Sequence, residues 1–326
     1  MKRKATMRDV AAAANVGVMT VSRVVNGDQR VTEERRRRVH AAIKELGFQP
    51  NATARALRPG QRTATIALII EDVSNPFYSA VAHGAEEVAR RHQHLVIVSA
   101  TRRDWKTERD LVTEMVRRSV DGLLIVPAPH DHTELDIAQS TPVVYLDRVP
   151  DGIEADSVVL PNESGAREAV GWLLGRGHTR IAYLGGHPDV RSGAGRLGGY
   201  RRALCDAGLT ERPELIRSNL HSAEQAADAV QELLVSERPP TAIFSDNNRM
   251  SVGVLHALEK SGQTVEVAGF DDVELASLVR TPLLLVTHDA VELGRQATTL
   301  LFERMNGLST PPQTITLPAV VNVYNG

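Results

Sequence analysis

Apolar positions recur with two different periods along the chain of 326 residues. In the first fifty, Met7, Val10, Ala11 and Ala14 have helical spacing, with Thr6 placed to cap the helix and Asp9 in its first turn. Asn15-Val16-Gly17 breaks the pattern, and Gly17 or Asn15 is suited to a left-handed backbone there. A second short helix is predicted over 18–25, ending at Asn26-Gly27. Val21, Val24 and Val25 form its buried stripe, which leaves Val18, Met19, Ser22 and Arg23 on other faces. A third helix starts from Thr32, carries Glu33 and Glu34 in its first turn, buries Val39, Ala42, Ile43 and Leu46, and stops at Gly47. Two short helices joined by a tight turn are the geometry that sets the second helix into a major groove.

From Thr65 the period changes. Strand-like apolar runs at 66–70, 95–98, 122–126, 143–146, 181–184, 242–244 and 265–269 alternate with amphipathic helical stretches such as 77–90, 108–118, 164–174 and 250–261, and a last strand is predicted over 314–323. Such alternation predicts parallel sheets with helices on both faces, and residues 63–326 exceed one comfortable core. The fold class expected is an all-α helix-turn-helix head plus an α/β body of two doubly wound parallel-sheet subdomains. Between them, Asn51 is a helix cap, residues 52–58 favour helix, and Pro59-Gly60 stops it. About two turns of isolated helix are marginal in water, so this stretch reads as a switch element that folds when something else stabilises it. The domains expected are therefore 1–50 (helix-turn-helix), 51–62 (hinge helix and linker) and 63–326 (the α/β body of two subdomains).

Charge sharpens this division. The chain carries 38 Lys/Arg and 40 Asp/Glu, but residues 1–62 hold fourteen of the bases and five of the acids, so the head is +9 and the remainder −11. A basic head on an acidic body is the footprint of a polyanion-binding module, although the run Arg35 to Arg38 cannot face one groove in full. A solvated basic helix or a small helical protein-interaction domain are the plainer alternatives. Within the head, Arg23 suits a bidentate contact to guanine, and Val18 and Met19 offer apolar contact such as a thymine methyl. Thr6, Thr20, Ser22 and Asn26 are short groups suited to phosphates, with Arg30 as a further DNA contact. The single cysteine, Cys205, excludes a disulfide scaffold; between Leu204 and Asp206 it reads as a packed thiol. Arg8 and Asp9 interrupt any signal-like segment and no apolar run approaches a membrane span, so the expected location is the cytoplasm, at the nucleoid, with no membrane partner.

In the body, polar residues gather at predicted strand ends: Glu71-Asp72, Asp147-Arg148, Asp246-Asn247-Asn248 and Asp271-Asp272. Ligands of parallel α/β sheets bind beyond those ends. Converging charged and amide groups suit a hydroxyl-rich ligand, and Phe77 and Tyr78 are placed to stack on a sugar face. Three motifs are decoys. Gly193-Ala194-Gly195-Arg196-Leu197-Gly198 has the dinucleotide spacing, yet the strand before it ends near Gly186 and a charged loop intervenes. His130-Asp131-His132 lacks a nearby third metal ligand, so no metal is expected. No G-x-S-x-G, Walker lysine or H-E-x-x-H motif is present, and neither an enzyme nor a cofactor is expected.

Three segments, Thr6-Met7-Arg8-Asp9-Val10-Ala11, Gly17-Val18-Met19-Thr20-Val21-Ser22-Arg23-Val24-Val25-Asn26-Gly27 and Pro50-Asn51-Ala52-Thr53-Ala54-Arg55-Ala56-Leu57, resemble the head and hinge of LacI/GalR-type bacterial transcriptional repressors. The likeness continues through Ser74-Asn75-Pro76-Phe77-Tyr78, Asp121-Gly122-Leu123-Leu124, Leu146-Asp147-Arg148, Asn162-Glu163, Gly177-His178, Arg196, Gly199-Tyr200, Asn247-Asn248, Gly253, Gly269-Phe270-Asp271-Asp272 and Gly294. The resemblance implies a periplasmic-binding-protein-like body and a homodimer whose heads read a palindromic operator. It further implies paired hinge helices in the minor groove, with Leu57 as the wedge, Arg58 beside it, and Asn51 and Ala54 on the same segment. By the same match the effector contacts are Asp147, Arg196, Asn247 and Asp271, with Phe77, Tyr78 and Asn248 behind them. The family usually has Asp where Asn248 stands. The effector implied is a small molecule, most simply a sugar or sugar derivative, with a nucleobase or other metabolite as the alternative. An enzyme or exported sugar-binding protein fused to such a head is the remoter one. The chain ends at Gly326 without a Leu-rich tail, so a dimer rather than a tetramer is expected.

Overall fold

Two sheets with the same strand order carry most of the chain. The computed structural model describes residues 5–25, 28, 30–48, 63–135, 137, 141–274 and 276–324. Asn26 and the predicted hinge, with Asn51, Ala54, Leu57 and Arg58, lie outside the described residues. The chain divides into two compact units, Met1–Thr63 and Ala64–Gly326.

In the first unit, helices α1 (Met7–Ala13), α2 (Val18–Val25) and α3 (Glu33–Leu46) enclose Val10, Ala11, Ala14, Val21, Val24, Val39 and Ala42. Thr6 and Asp9 form a reciprocal capping box on α1, the Asp9 carboxylate accepting from the Thr6 backbone at 2.8 Å, which contributes about 1 kcal/mol. Asn15, not Gly17, takes the left-handed backbone of the turn, at φ 48°. Gly47 ends α3 at φ 60° as its position predicts. Leu46, expected in the core, is 38% exposed, because the chain turns away at Gly47 and Phe48 fills the space.

In the second unit, one sheet has the order β2-β1-β3-β4-β5-β11 and the other β7-β6-β8-β9-β10-β12. The first comprises β1 (Thr65–Ile70), β2 (Leu95–Ala100), β3 (Gly122–Ile125), β4 (Val143–Asp147), β5 (Ser157–Val159) and β11 (Thr314–Thr316). The second comprises β6 (Ile181–Leu184), β7 (Ile216–Arg217), β8 (Ala242–Ser245), β9 (Glu266–Phe270), β10 (Leu283–Thr287) and β12 (Val320–Tyr324). Every pairing is parallel except β10 with β12. Helices α4 (Pro76–Arg91), α5 (Trp105–Arg117), α6 (Asn162–Gly175), α7 (Arg191–Asp206), α8 (Ala223–Leu234), α9 (Asn248–Ser261) and α10 (Ala290–Met305) cover them.

The predicted strand over 314–323 is two strands in two different sheets. Leu317-Pro318-Ala319 interrupts it, since proline cannot donate to a ladder, and the chain crosses between lobes there. Two more crossings exchange helices. α6 follows β5 yet packs its Ala166, Ala169, Val170 and Leu173 on the second sheet, while α10 follows β10 and packs Leu293, Ala297, Leu300 and Leu301 on the first. The α4–α10 contact needs glycine on both sides: a Cβ on Gly84 would stand 1.9 Å from the Val291 carbonyl oxygen, and one on Gly294 2.0 Å from that of Val81. The G-x-G-x-x-G segment lies inside α7 rather than in a strand-to-helix turn. Cys205, expected to be packed, is exposed, because α7 turns Ala203 and Leu204 inward instead.

Candidate nucleic-acid surface and ligand cleft

On the head, α2 presents Val18 (44% exposed), Met19 (71%) and Arg23 outward, with Thr20 half-buried. Ser22 is buried, contrary to its expected place on an outer face, because the stripe through Val21 and Val24 is wide enough to include it. Arg30 is committed within the head: its guanidinium makes paired hydrogen bonds to the Asp28 carboxylate at 3.0 and 2.9 Å, which hold that carboxyl down to about 2. The exposed hydroxyl of Thr6 donates to Asp9 in the capping box. Within the run Arg35 to Arg38, Arg38 turns inward. It donates to the Ala14 carbonyl at 3.0 and 2.6 Å and to that of Asn15 at 2.8 Å, satisfying carbonyls at the end of α1. The other three arginines of the run are exposed or half-buried, with Arg36 and Arg37 near Glu33.

In the body, the order 2-1-3-4-5 puts a topological switch between β1 and β3, and likewise between β6 and β8. Both open onto one cleft between the lobes, lined among others by Phe77, Tyr78, Asp147, Arg196, Asn247 and Asp271. The structure thus brings together six of the seven residues singled out for the effector. Asn248, the seventh, stands outside that lining and donates to Asn75 Oδ1 of the opposite lobe at 2.8 Å.

The polar floor is built by strand ends. Asp147 after the last apolar residue of β4, and Asp271 just beyond β9, both take a left-handed backbone, at φ 72° and 70°. Burial pushes the Asp147 carboxyl up, against the opposing pull of Arg148. Arg148 spreads its guanidinium over Asp147 Oδ2 (2.8 Å), Glu71 Oε2 (3.0 Å), the Pro127 carbonyl (2.8 Å) and, across the cleft, Ser192 Oγ (3.3 Å). The Tyr78 hydroxyl lies 3.4 Å from Asp147 and 3.5 Å from Glu71, and burial together with these carboxylates drives its pKa up. Arg196 lies with its guanidinium carbon 4.0 Å over the Phe270 ring, donating to Asn162 Oδ1 (2.8 Å), the Asp246 carbonyl (2.6 Å) and, at 3.4 Å, Asp271 Oδ2. Burial raises Asp246 to about 6 despite hydrogen bonds from Tyr183 and Gly186. Asp271 Oδ1 is buried without a hydrogen-bond partner, with His288 Nε2 at 3.4 Å.

Two expectations change on this geometry. Asn247 caps α9, its Oδ1 accepting from Arg249 and Met250 at 3.0 and 3.1 Å while its amide donates to Asp246. It shapes the cleft and has little left for a ligand. Phe77 packs edge-on against Tyr78 and His288, with ring centroids 4.9 and 5.4 Å away, so its ring is partly spent on the wall. Sequence reasoning passed over Arg103, His187, His221 and His288, of which the first three line the cleft. They follow β2, β6, β7 and β10, so the strand-end rule applied to every strand, not only to acidic clusters, would have found them. Among the described residues no group of three or more metal-ligating side chains is placed to hold an ion, and no helix is long and apolar enough to cross a membrane.

Two family models match the chain: bacterial regulatory proteins of the lacI family over residues 6–51, and a periplasmic binding protein-like domain over 170–323. Catabolite control protein A of Priestia megaterium is 33% identical over 320 residues, covering 96% of each chain. The solved structure of the transcriptional regulator CelR in complex with cellobiose is 30% identical with a TM-score of 0.72, covering 99% of this chain and 100% of that one. The Lac repressor dimer bound to operator and the anti-inducer ONPF is 27% identical with a TM-score of 0.85, covering 98% of both chains. With a helix-turn-helix head, a two-lobed parallel-sheet body and a relative one-third identical along nearly the full length, this chain belongs to the lacI family of bacterial regulatory proteins.

Proposed function

We propose that the protein is a dimeric, sequence-specific transcriptional repressor whose operator affinity is set by a small hydroxyl-rich ligand, a sugar or sugar derivative, held in the cleft between the two lobes. One observation carries the ligand class. The cleft floor holds a buried carboxylate oxygen, Asp271 Oδ1, with no hydrogen-bond donor, beside Arg196, one of whose terminal nitrogens donates to nothing among the described residues. A sugar hydroxyl both donates and accepts, so a vicinal pair satisfies carboxylate and guanidinium together. On the head, Arg23 reads a guanine edge, Val18 and Met19 offer apolar contact, and Thr20 faces phosphate; the family resemblance assigns the minor-groove wedge to Leu57. The relatives support this reading, since one is solved with cellobiose and another as a dimer on operator DNA.

Ligand control follows from lobe closure: a ligand moves the equilibrium only by its different affinity for the two lobe arrangements, typically 1–3 kcal/mol. Binding-site selection with the full chain tests the DNA half. A palindromic operator is expected, and Arg23→Ala should cost about 1–3 kcal/mol of base discrimination at one position of each half-site. Recovery of no palindrome, or an unchanged preference in the variant, refutes the assignment. The ligand half is tested by titrating neutral sugars into the operator complex and reading the change in affinity.

A further inference from the structure

The outer end of the cleft differs in chemistry from its floor. Arg103, in the turn after β2, lines it from one lobe, and His187 and His221, after β6 and β7, line it from the other. The Arg103 guanidinium makes no hydrogen bond among the described residues, and its nearest carboxylate is Glu71, with Nε 3.6 Å from Oε1. Glu71 is already engaged through its other oxygen by Arg148. A quarter of the Arg103 side chain stays exposed (27%), against 5% for Arg148, so among the described arginines of the cleft it is the one held by an ion pair without a side-chain hydrogen bond. Its backbone is also costly: Arg102 and Arg103 are consecutive left-handed residues, at φ 53° and 65°, where glycine is the unstrained choice. The turn therefore holds an arginine in a conformation that favours a residue with no side chain at all.

Opposite it, His187 Nε2 and His221 Nδ1 share one proton at 2.8 Å, and His187 Nδ1 lies 3.7 Å from the largely exposed Asp189. Burial, Arg103 and His221 in that order depress the His187 pKa, disfavouring a charged His187 imidazole. An anion entering between Arg103 and the pair removes that repulsion and supplies an acceptor for ring N–H donors.

We propose that the effector carries an anionic group, a phosphate or a carboxylate, and that Arg103 with the His187–His221 pair reads it across the mouth of the cleft. The inference rests on the cleft being the effector site and narrows the ligand from sugars in general to sugar phosphates or sugar acids. Because one lobe supplies the arginine and the other both imidazoles, the anion bridges the lobes and favours their closure, while the floor at Arg196 and Asp271 holds the hydroxyls.

The test uses the full chain at neutral pH, with inorganic phosphate and, separately, acetate as probes, followed by NMR of the histidine side chains. A saturable shift of the His187 and His221 resonances is expected with at least one probe, and the better probe tells phosphate from carboxylate. Arg103→Gly, which suits the left-handed backbone and so should fold at least as well, is expected to weaken the response about tenfold or more. Arg103→Lys should restore part of it. No saturable shift with either probe, or an equal response in Arg103→Gly, overturns the proposal. Failure here is distinct from failure of the cleft reading, because neutral sugars acting on the operator complex through Asp271 would leave that reading standing.

Discussion

The two lobes of the body share a strand order and a left-handed aspartate at the same point of each sheet, but they treat that aspartate differently. In the first lobe Asp147 is answered by its own neighbour, Arg148, whose guanidinium also engages Glu71 and a backbone carbonyl. In the second, Asp271 meets Arg196 only at 3.4 Å, and its other oxygen finds no hydrogen-bond donor. On the cleft floor the first lobe's carboxylate is satisfied from within the protein, and the second lobe's is left open. Buried polar groups without partners are expensive, so the open half is where a ligand gains most by supplying them. At the floor of the cleft the first lobe acts as a rigid wall and the second as the reader, while at the mouth both lobes contribute.

That contrast is broken most severely at Arg148. Arg148→Ala strands two carboxylates, and the protein should lose about 3–5 kcal/mol of stability in urea unfolding. A loss below about 1 kcal/mol would mean that the first lobe is no better satisfied than the second. The second lobe answers through pH. Asp246 has a folded pKa near 6, raised from 3.8, so the folded state holds a proton that the unfolded chain releases. Its contribution is therefore fully present at the acid end and falls as pH rises from about 4 to 6, by up to about 3 kcal/mol, then stays flat. Asp246→Asn should remove its part of that slope in thermal melts across the same range, while Asp147→Asn, whose carboxyl burial also raises, removes only its own share and leaves that of Asp246 in place. At Asp271 function should suffer more than stability. Asp271→Asn gives up no hydrogen bond from Oδ1 but weakens the buried pair with Arg196, so stability should fall by about 1–3 kcal/mol, less than for Arg148→Ala, while ligand affinity should fall about tenfold or more, measured by calorimetry with the identified effector.

Much of this was legible in the chain, and the physical reason is local. Apolar runs bounded by charge gave most strands and helices to within a residue or two, and residues such as Asp147, Asn247 and Asp271 stand at or just beyond strand ends, where an α/β sheet binds its ligand. What escaped depended on how elements pack. Which of four consecutive arginines turns inward is set by the rotation of α3 against α1, and only then does Arg38 reach the Ala14 carbonyl. Ser22 looked outward because an eight-residue helix leaves the width of its buried face undetermined. Arg103, His187 and His221 lie on three separate turns that meet only because crossings between the lobes bring both sheets' carboxyl ends face to face. Asn75, read as part of a motif, serves twice: it caps α4 through the Phe77 N–H and receives Asn248 from the other lobe.

This last contact gives the finest test of the comparison, because it joins Asn75 of the cleft lining to Asn248 of the other lobe, which stands outside it. Asn248 donates through Nδ2 to Asn75 Oδ1, which cannot turn away without abandoning the α4 cap. Asn248→Asp replaces the donor with a second acceptor facing the same oxygen. The bridge should then be lost at a cost of about 1 kcal/mol to the closed arrangement, with the floor at Arg196 and Asp271 unchanged. Because a ligand that binds the closed form must then supply that difference, its apparent affinity should fall about fivefold, and small-angle scattering of the unliganded protein should show wider lobes. An unchanged affinity with unchanged scattering would mean that the Asn75–Asn248 bridge does not contribute to closure, and that the contrast between a satisfied wall and an open reader is confined to the cleft floor.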